Sequence, residues 1–208
     1  RKGTLLFNQS YQFIEDKEVY FQHPCRSLNT MCLDGSVRYL LAGHDKNIVI
    51  SNLEHPEEIK GVKVRLKNNG AGTFNHVAKL DDKLVASHHL WGVLNVNLEE
   101  FLDDDDITIN KKNFSRYFMQ EHQNGVRASL VVDDNHFLVA TANTINGYDA
   151  KLKLRQSWSF PEMVTSFAYN GKQLFVGTNR GKIFTANNNG NKATIESGHL
   201  SAITNLKA

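Results

Sequence analysis

Leu40-Leu41-Ala42-Gly43-His44-Asp45-Lys46-Asn47-Ile48-Val49-Ile50-Ser51-Asn52-Leu53 is the stretch on which the reading of this chain turns, because it recurs in altered form. The second copy is Leu84-Val85-Ala86-Ser87 running on to Val93-Leu94-Asn95-Val96-Asn97-Leu98. The third runs from Phe137-Leu138-Val139-Ala140 to Tyr148-Asp149, and the fourth from Leu174-Phe175-Val176-Gly177 to Thr185-Ala186-Asn187. Each is an apolar run, a short polar turn and a second apolar run. With Ala42, Ala86, Ala140 and Val176 as markers, the spacings are 44, 54 and 36 residues. A unit of about 40–45 residues built from several short strands is the mark of a β-propeller blade. Propellers host binding and catalysis alike, so function has to be argued from a site.

The totals narrow the choices. Apolar residues make up 40% of the 208 positions and charged residues 22%, which supports a packed core and excludes global disorder. Net charge is only +2, from 24 basic and 22 acidic residues, and the basic ones are scattered. Composition therefore gives no electrostatic case for nucleic acid. No stretch approaches the ~18 apolar residues of a membrane span, so no membrane partner is expected. The chain shows no signal peptide and starts at Arg1 rather than Met, which predicts further sequence upstream. Two cysteines, Cys25 and Cys32, are few for a secreted disulfide scaffold. A reducing intracellular compartment, the cytoplasm, is expected.

Short apolar runs bounded by Gly, Asn and Asp predict four-stranded antiparallel blades, with strands a to d. The first blade (28–66) has strands at Leu28–Leu33, Arg38–Gly43, Ile48–Leu53 and Ile59–Leu66, with a hairpin turn at Asp34-Gly35-Ser36. The second (73–123) has Phe74–Leu80, Leu84–Ser87 and Val93–Leu98, with a late d strand at Asn113–Met119 or at Ile107–Ile109. Its extra length, including Asp103-Asp104-Asp105-Asp106, is assigned to the c–d loop. The third (126–160) has Val126–Val132, Phe137–Thr141, Ile145–Asp149 and Leu154–Phe160. The fourth (163–197) has Val164–Tyr169, Gln173–Gly177, Lys182–Ala186 and Lys192–Ser197. Residues 1–24 read as the back half of another blade, and residues 200–208 as the first strand of the next. The expectation is an all-β partial propeller, about four complete blades plus parts of two, belonging to a ring of seven. The missing blades would come from the same chain or from another, because open edges invite pairing.

At Gly198-His199, followed by Ile203, the sequence resembles the WD40 repeat. His122 and Val126 keep the same spacing, Asp45 matches the b–c turn Asp, and Tyr148-Asp149 matches the Trp-Asp pair that closes strand c. No blade carries the whole His, Ser/Thr, Asp and Trp set. The resemblance implies that the b–c and d–a loops share one rim. On that rim it would place His44, Asp45, Arg65, Lys67, His88, His89, Trp91, His122 and Arg180.

His88-His89-Leu90-Trp91 is the most unusual turn, since b–c turns elsewhere carry Gly and Asn. Aromatic residues dominate binding hot spots, so Trp91 reads either as a partner anchor or as a plug between blades. The predicted partner-binding residues are His44, Asp45, His88, His89, Trp91, His122 and Arg180. Zinc or copper on His44, His88 and His89 is set aside, because equivalent turns of adjacent blades stand too far apart to share a metal. The Asp103–Asp106 run lacks the alternation and glycine of a calcium loop and reads as a solvated insertion, or as a negative face for a basic partner. Cys32 reads as a buried strand residue and Cys25 as exposed. No phosphate loop, nucleophile elbow or paired-carboxylate motif occurs, so no catalytic residue, metal or cofactor is predicted. The expected function is a non-catalytic protein-interaction propeller, a scaffold, sensor or regulatory part of a larger protein or complex. The alternatives are a propeller hydrolase with a site at the tunnel mouth, for which only His44 and Asp45 are well placed, and a nucleic-acid-associated propeller.

Overall fold

The computed structural model describes residues 3–7, 13–20, 27–33, 37–43, 47–52, 59–66, 73–103, 106–119, 125–190, 192–195, 199 and 201–206. For the strands before residue 47 the description is of the backbone alone. The predicted turn at 34–36 lies outside the described residues.

The strands sort into five sheets. β1 (Gly3–Phe7) pairs antiparallel with β2 (Phe13–Tyr20). β3 (Ser27–Leu33), β4 (Val37–Gly43), β5 (Asn47–Asn52) and β6 (Ile59–Arg65) form an antiparallel meander, the first blade. β7 (Phe74–Leu80), β8 (Lys83–His88) and β9 (Gly92–Asn97) form the second. Next come α1 (Leu98–Asp103), β10 (Asp106–Asn110) and the single turn α2 (Phe114–Tyr117). β11 (Ala128–Asp133), β12 (His136–Thr141), β13 (Thr144–Tyr148) and β14 (Leu154–Ser159) make the third blade. β15 (Val164–Tyr169), β16 (Gln173–Thr178), β17 (Ile183–Asn187) and β18 (Lys192–Ile195) make the fourth. The first strands of successive blades lie side by side, β3 by β7, β7 by β11 and β11 by β15. They are the inner strands of a radial arrangement.

The unbroken apolar runs are explained by what lies on either side of each blade. A strand between two blades is buried on both faces, so neither half of its period-2 alternation has to be polar. In β8, Leu84 and Ala86 join a core shared with the first blade, whereas Val85 joins a core shared with the third. In β12, Phe137 and Val139 face that same core, while Leu138 and Ala140 face the fourth blade. Two adjacent residues thus serve two different cores.

The second blade departs from expectation. Ile107 and Ile109 do lie in a strand, but β10 pairs in parallel with β6 and extends the first blade to five strands. The second blade keeps three strands, and its outer edge is reduced to one bridge, Leu94 to Phe118. Met119 N–H donates to Val93 O at 2.9 Å beside it. The extra residues form a folded strap instead of a c–d loop. Asn97 Oδ1 caps α1 by accepting from the Glu99 and Glu100 amides at 2.8 and 3.3 Å. Phe101, Ile107, Ile109 and Phe118 are buried in the core between the first two blades. Glu100 Oε1 accepts from the Tyr117 hydroxyl at 2.7 Å and from Arg116 Nη2 at 2.9 Å, closing the strap on itself. The acidic run joins α1 to β10, with Asp104 and Asp105 outside the described residues.

Candidate functional site

The site begins with a repeated backbone latch. Val126 N–H donates to His88 O at 3.4 Å, Val164 N–H to Ala142 O at 2.8 Å, and Ile203 N–H to Thr178 O at 3.0 Å. Each bond ties the residue that opens, or would open, an inner strand to the end of strand b, or the turn after it, in the preceding blade. The chain therefore leaves the second, third and fourth blades past their own b–c turns, and there the two kinds of loop share one rim. The approach is close enough to require glycine at two places. A Cβ on Gly125 (φ +87) would stand 2.2 Å from His89 O, and one on Gly181 (φ +80) 2.4 Å from His199 O.

The residues predicted for this rim divide sharply. His88 is corrected: it is 0% exposed and lies beneath the rim. Its Nδ1 accepts from the amides of Leu90 and Trp91 at 3.1 and 3.2 Å, so the buried imidazole builds the turn above it. Trp91 stacks on that imidazole, with centroids 3.8 Å apart and planes 8° from parallel, and meets Phe74 and Phe118 edge-on. It is half-buried, with its inner face packed on the core between the first two blades. His89 is half-buried and Arg180 exposed. His44, Asp45, His122 and Lys67 lie outside the described residues. Arg65 is exposed at the end of β6.

Three features escaped the sequence. Leu90, 38% exposed, is the apolar tip of the Trp91 turn. Glu162, 8% exposed, accepts from the Thr178 hydroxyl at 2.7 Å and pairs with Lys182 Nζ at 2.9 Å. Lys182 first, then the Thr178 hydroxyl, hold its carboxyl below the usual range, and Arg180 adds to the effect. This group joins the d–a loop of the fourth blade to the end of strand b and to the residue that follows the b–c turn. A carboxylate two residues before the first apolar residue of strand a was its only signal. Third, Ser129 on β11 contacts His76 Nδ1 at 3.1 Å and Ser87 Oγ at 2.9 Å, crossing from the third blade to the second. Burial lowers His76 to a pKa of about 4.

At the Trp-Asp position, Tyr148 is buried, and Asp149 accepts from the Lys151 and Lys153 amides and from Arg155 Nε at 3.0, 2.9 and 2.8 Å. It organises the c–d turn at the opposite end of the blade.

No protein-family model matches this chain, and no curated protein does. Solved structures do. It is similar to the computationally designed Ika8 protein, at TM-score 0.65 and 12% identity, over 98% of this chain and 58% of that one. It is similar to Sqt1 of Saccharomyces cerevisiae, at TM-score 0.63 and 12% identity, over 97% of this chain and 57% of Sqt1. It is also similar to a chain of the Mitotic Checkpoint Complex, at TM-score 0.62 and 11% identity, over 96% of this chain and 59% of that one. The chain thus spans less than two thirds of the length of each. Sqt1 and the checkpoint chain are WD40 propellers. At these identities the likeness is one of fold, and the fold is that of β-propeller blades.

Proposed function

We propose that this chain is the interaction propeller of a larger intracellular protein or complex, non-catalytic, acting as scaffold, sensor or regulatory domain. Its protein partner docks on the rim formed by the b–c turns and the links between blades. The observation that carries the reading is the turn at 89–91. A buried imidazole fixes its backbone, a stacked indole fixes its inner side, and Leu90 is left exposed at its tip. A rigid apolar tip loses little entropy on binding. One of the similar structures is a chain of a complex, the Mitotic Checkpoint Complex, which supports the same reading. The remaining blades of a seven-membered ring are supplied by further sequence of this protein or by a second chain.

A photo-crosslinking residue placed at position 90 tests the docking surface. The expected result is adducts to another polypeptide from position 90 and far fewer from position 172, an exposed lysine on the opposite rim. Equal labelling from the two positions overturns the proposal.

A further inference from the structure

The inner strands carry a second repeated tie, made by side chains. Asn75 follows the first apolar residue of its inner strand, and its Nδ2 donates to Val126 O of the next blade at 3.2 Å. Thr165 holds the matching place in the fourth blade, and its hydroxyl donates to Ile203 O at 2.6 Å. The residues one further along repeat the duty, His76 reaching Ser129 and Ser166 donating to Ile203 O at 2.9 Å. In the third blade these two places hold Arg127 and Ala128. Ala128 has no polar group. Arg127 is exposed, and its guanidinium makes no hydrogen bond or ion pair among the described residues. The contact between the third and fourth blades is instead an apolar core containing Trp158, Phe160 and Val164.

Arg127 thus stands where both flanking blades use a side chain for structure, and it is not used so. Its neighbourhood gives it a ligand chemistry. Gly125, two residues before it, is packed against the His89 carbonyl, so the chain reaches Arg127 directly after passing the 89–91 turn. Glu162 is the only acidic side chain among the described rim residues, and Lys182 already neutralises it. Among the described rim residues, Arg65, Arg127 and Arg180 then outnumber the acidic groups. The turns of the opposite rim mix the two signs, with exposed Asp81, Asp82, Asp133 and Asp134 beside exposed Lys151, Lys153 and Lys172. A guanidinium presents its donors in a planar fork that matches a carboxylate.

We infer that the rim takes an acidic linear peptide, with Arg127 binding a carboxylate and the Leu90–Trp91 turn meeting an apolar residue beside it. The inference rests on the rim being the docking surface, and adds the partner's chemistry. Two separate cations with an apolar tip suit a peptide better than a phosphate backbone, which needs a run of basic contacts.

Selection of a displayed library of random linear peptides on the intact protein is the test. The expected outcome is enrichment of peptides pairing Asp or Glu with an apolar residue. Their binding should fall roughly five- to tenfold in Arg127→Gln, and weaken as salt rises. Lys172→Gln should leave it unchanged, and both variants should melt with the wild type. Enrichment without acidic bias, no enrichment at all, insensitivity to Arg127→Gln, or preferential binding of a single-stranded oligonucleotide each overturns the inference. If crosslinks from position 90 persist while acidic peptides fail, the docking surface stands and only its assigned chemistry falls.

Discussion

His88 and Trp91 divide one job between a polar and an apolar side chain. The imidazole satisfies two turn amides that would otherwise lie half-buried without acceptors, and the indole shields it from water. Trp91→Ala removes the shield and one side of a core. It should cost about 2–3 kcal/mol, or roughly 5–10 °C of melting temperature, in a thermal scan. Gly181→Ala meets both a positive φ and the His199 carbonyl, and should cost more than about 1 kcal/mol in the same assay. His76 gives a pH prediction. Its pKa is about 4 in the fold and about 6.5 unfolded, so the unfolded chain binds the proton first. Its share of stability is complete above the unfolded value and drains away as pH falls from about 6.5 toward 4. Melting temperatures measured across that range should fall less steeply in His76→Gln than in the wild type. The roles of these side chains were only half legible in the sequence. A histidine at a turn reads the same whether it caps from below or projects from above, and only burial separates the two.

At the scale of elements, the strap from α1 to α2 binds two blades at their outer edge. Parallel pairing of β10 with β6 covers the edge that the first blade would otherwise present. Ile109 is fully buried in the core the two blades share. Ile109→Ala should therefore cost about 2–4 kcal/mol, and hydrogen exchange should speed up in both β6 and β9. Speeding confined to β10 would mean that the strap does not join them. The sequence offered Asn113–Met119 or Ile107–Ile109 as the one d strand of the second blade; the former is the helical turn α2 ending in the Phe118 bridge, and the latter pairs with β6 of the first blade. Strand propensity is a local property, whereas pairing with a neighbour or with a more distant strand is decided by which apolar face finds cover.

Across the whole molecule, the repeat was readable because each blade solves the same problem twice, once per face. Apolar runs such as Phe137–Ala140 supply both cores, and Asx turns such as Asn170, whose Oδ1 accepts from the Lys172 and Gln173 amides at 3.1 and 2.8 Å, separate them. The exposed position of Arg127 was invisible, because a net charge of +2 says nothing of where each cation stands. Contacts that link only neighbouring blades make stability a sum of local steps. Val139 faces the core between the second and third blades. Val139→Ala should raise amide exchange in β8 and β12 while leaving β16 at its original rate, and a uniform rise would refute nearest-neighbour coupling.

The strap also sets an order in time. A nascent chain emerges from its amino end, so β6 clears the ribosome before β10 can lie against it. Until β10 has emerged as well, the first blade has a bare outer strand open to any other extended chain. The rate at which the strap emerges after β6 thus governs how long the young protein is exposed to mispairing.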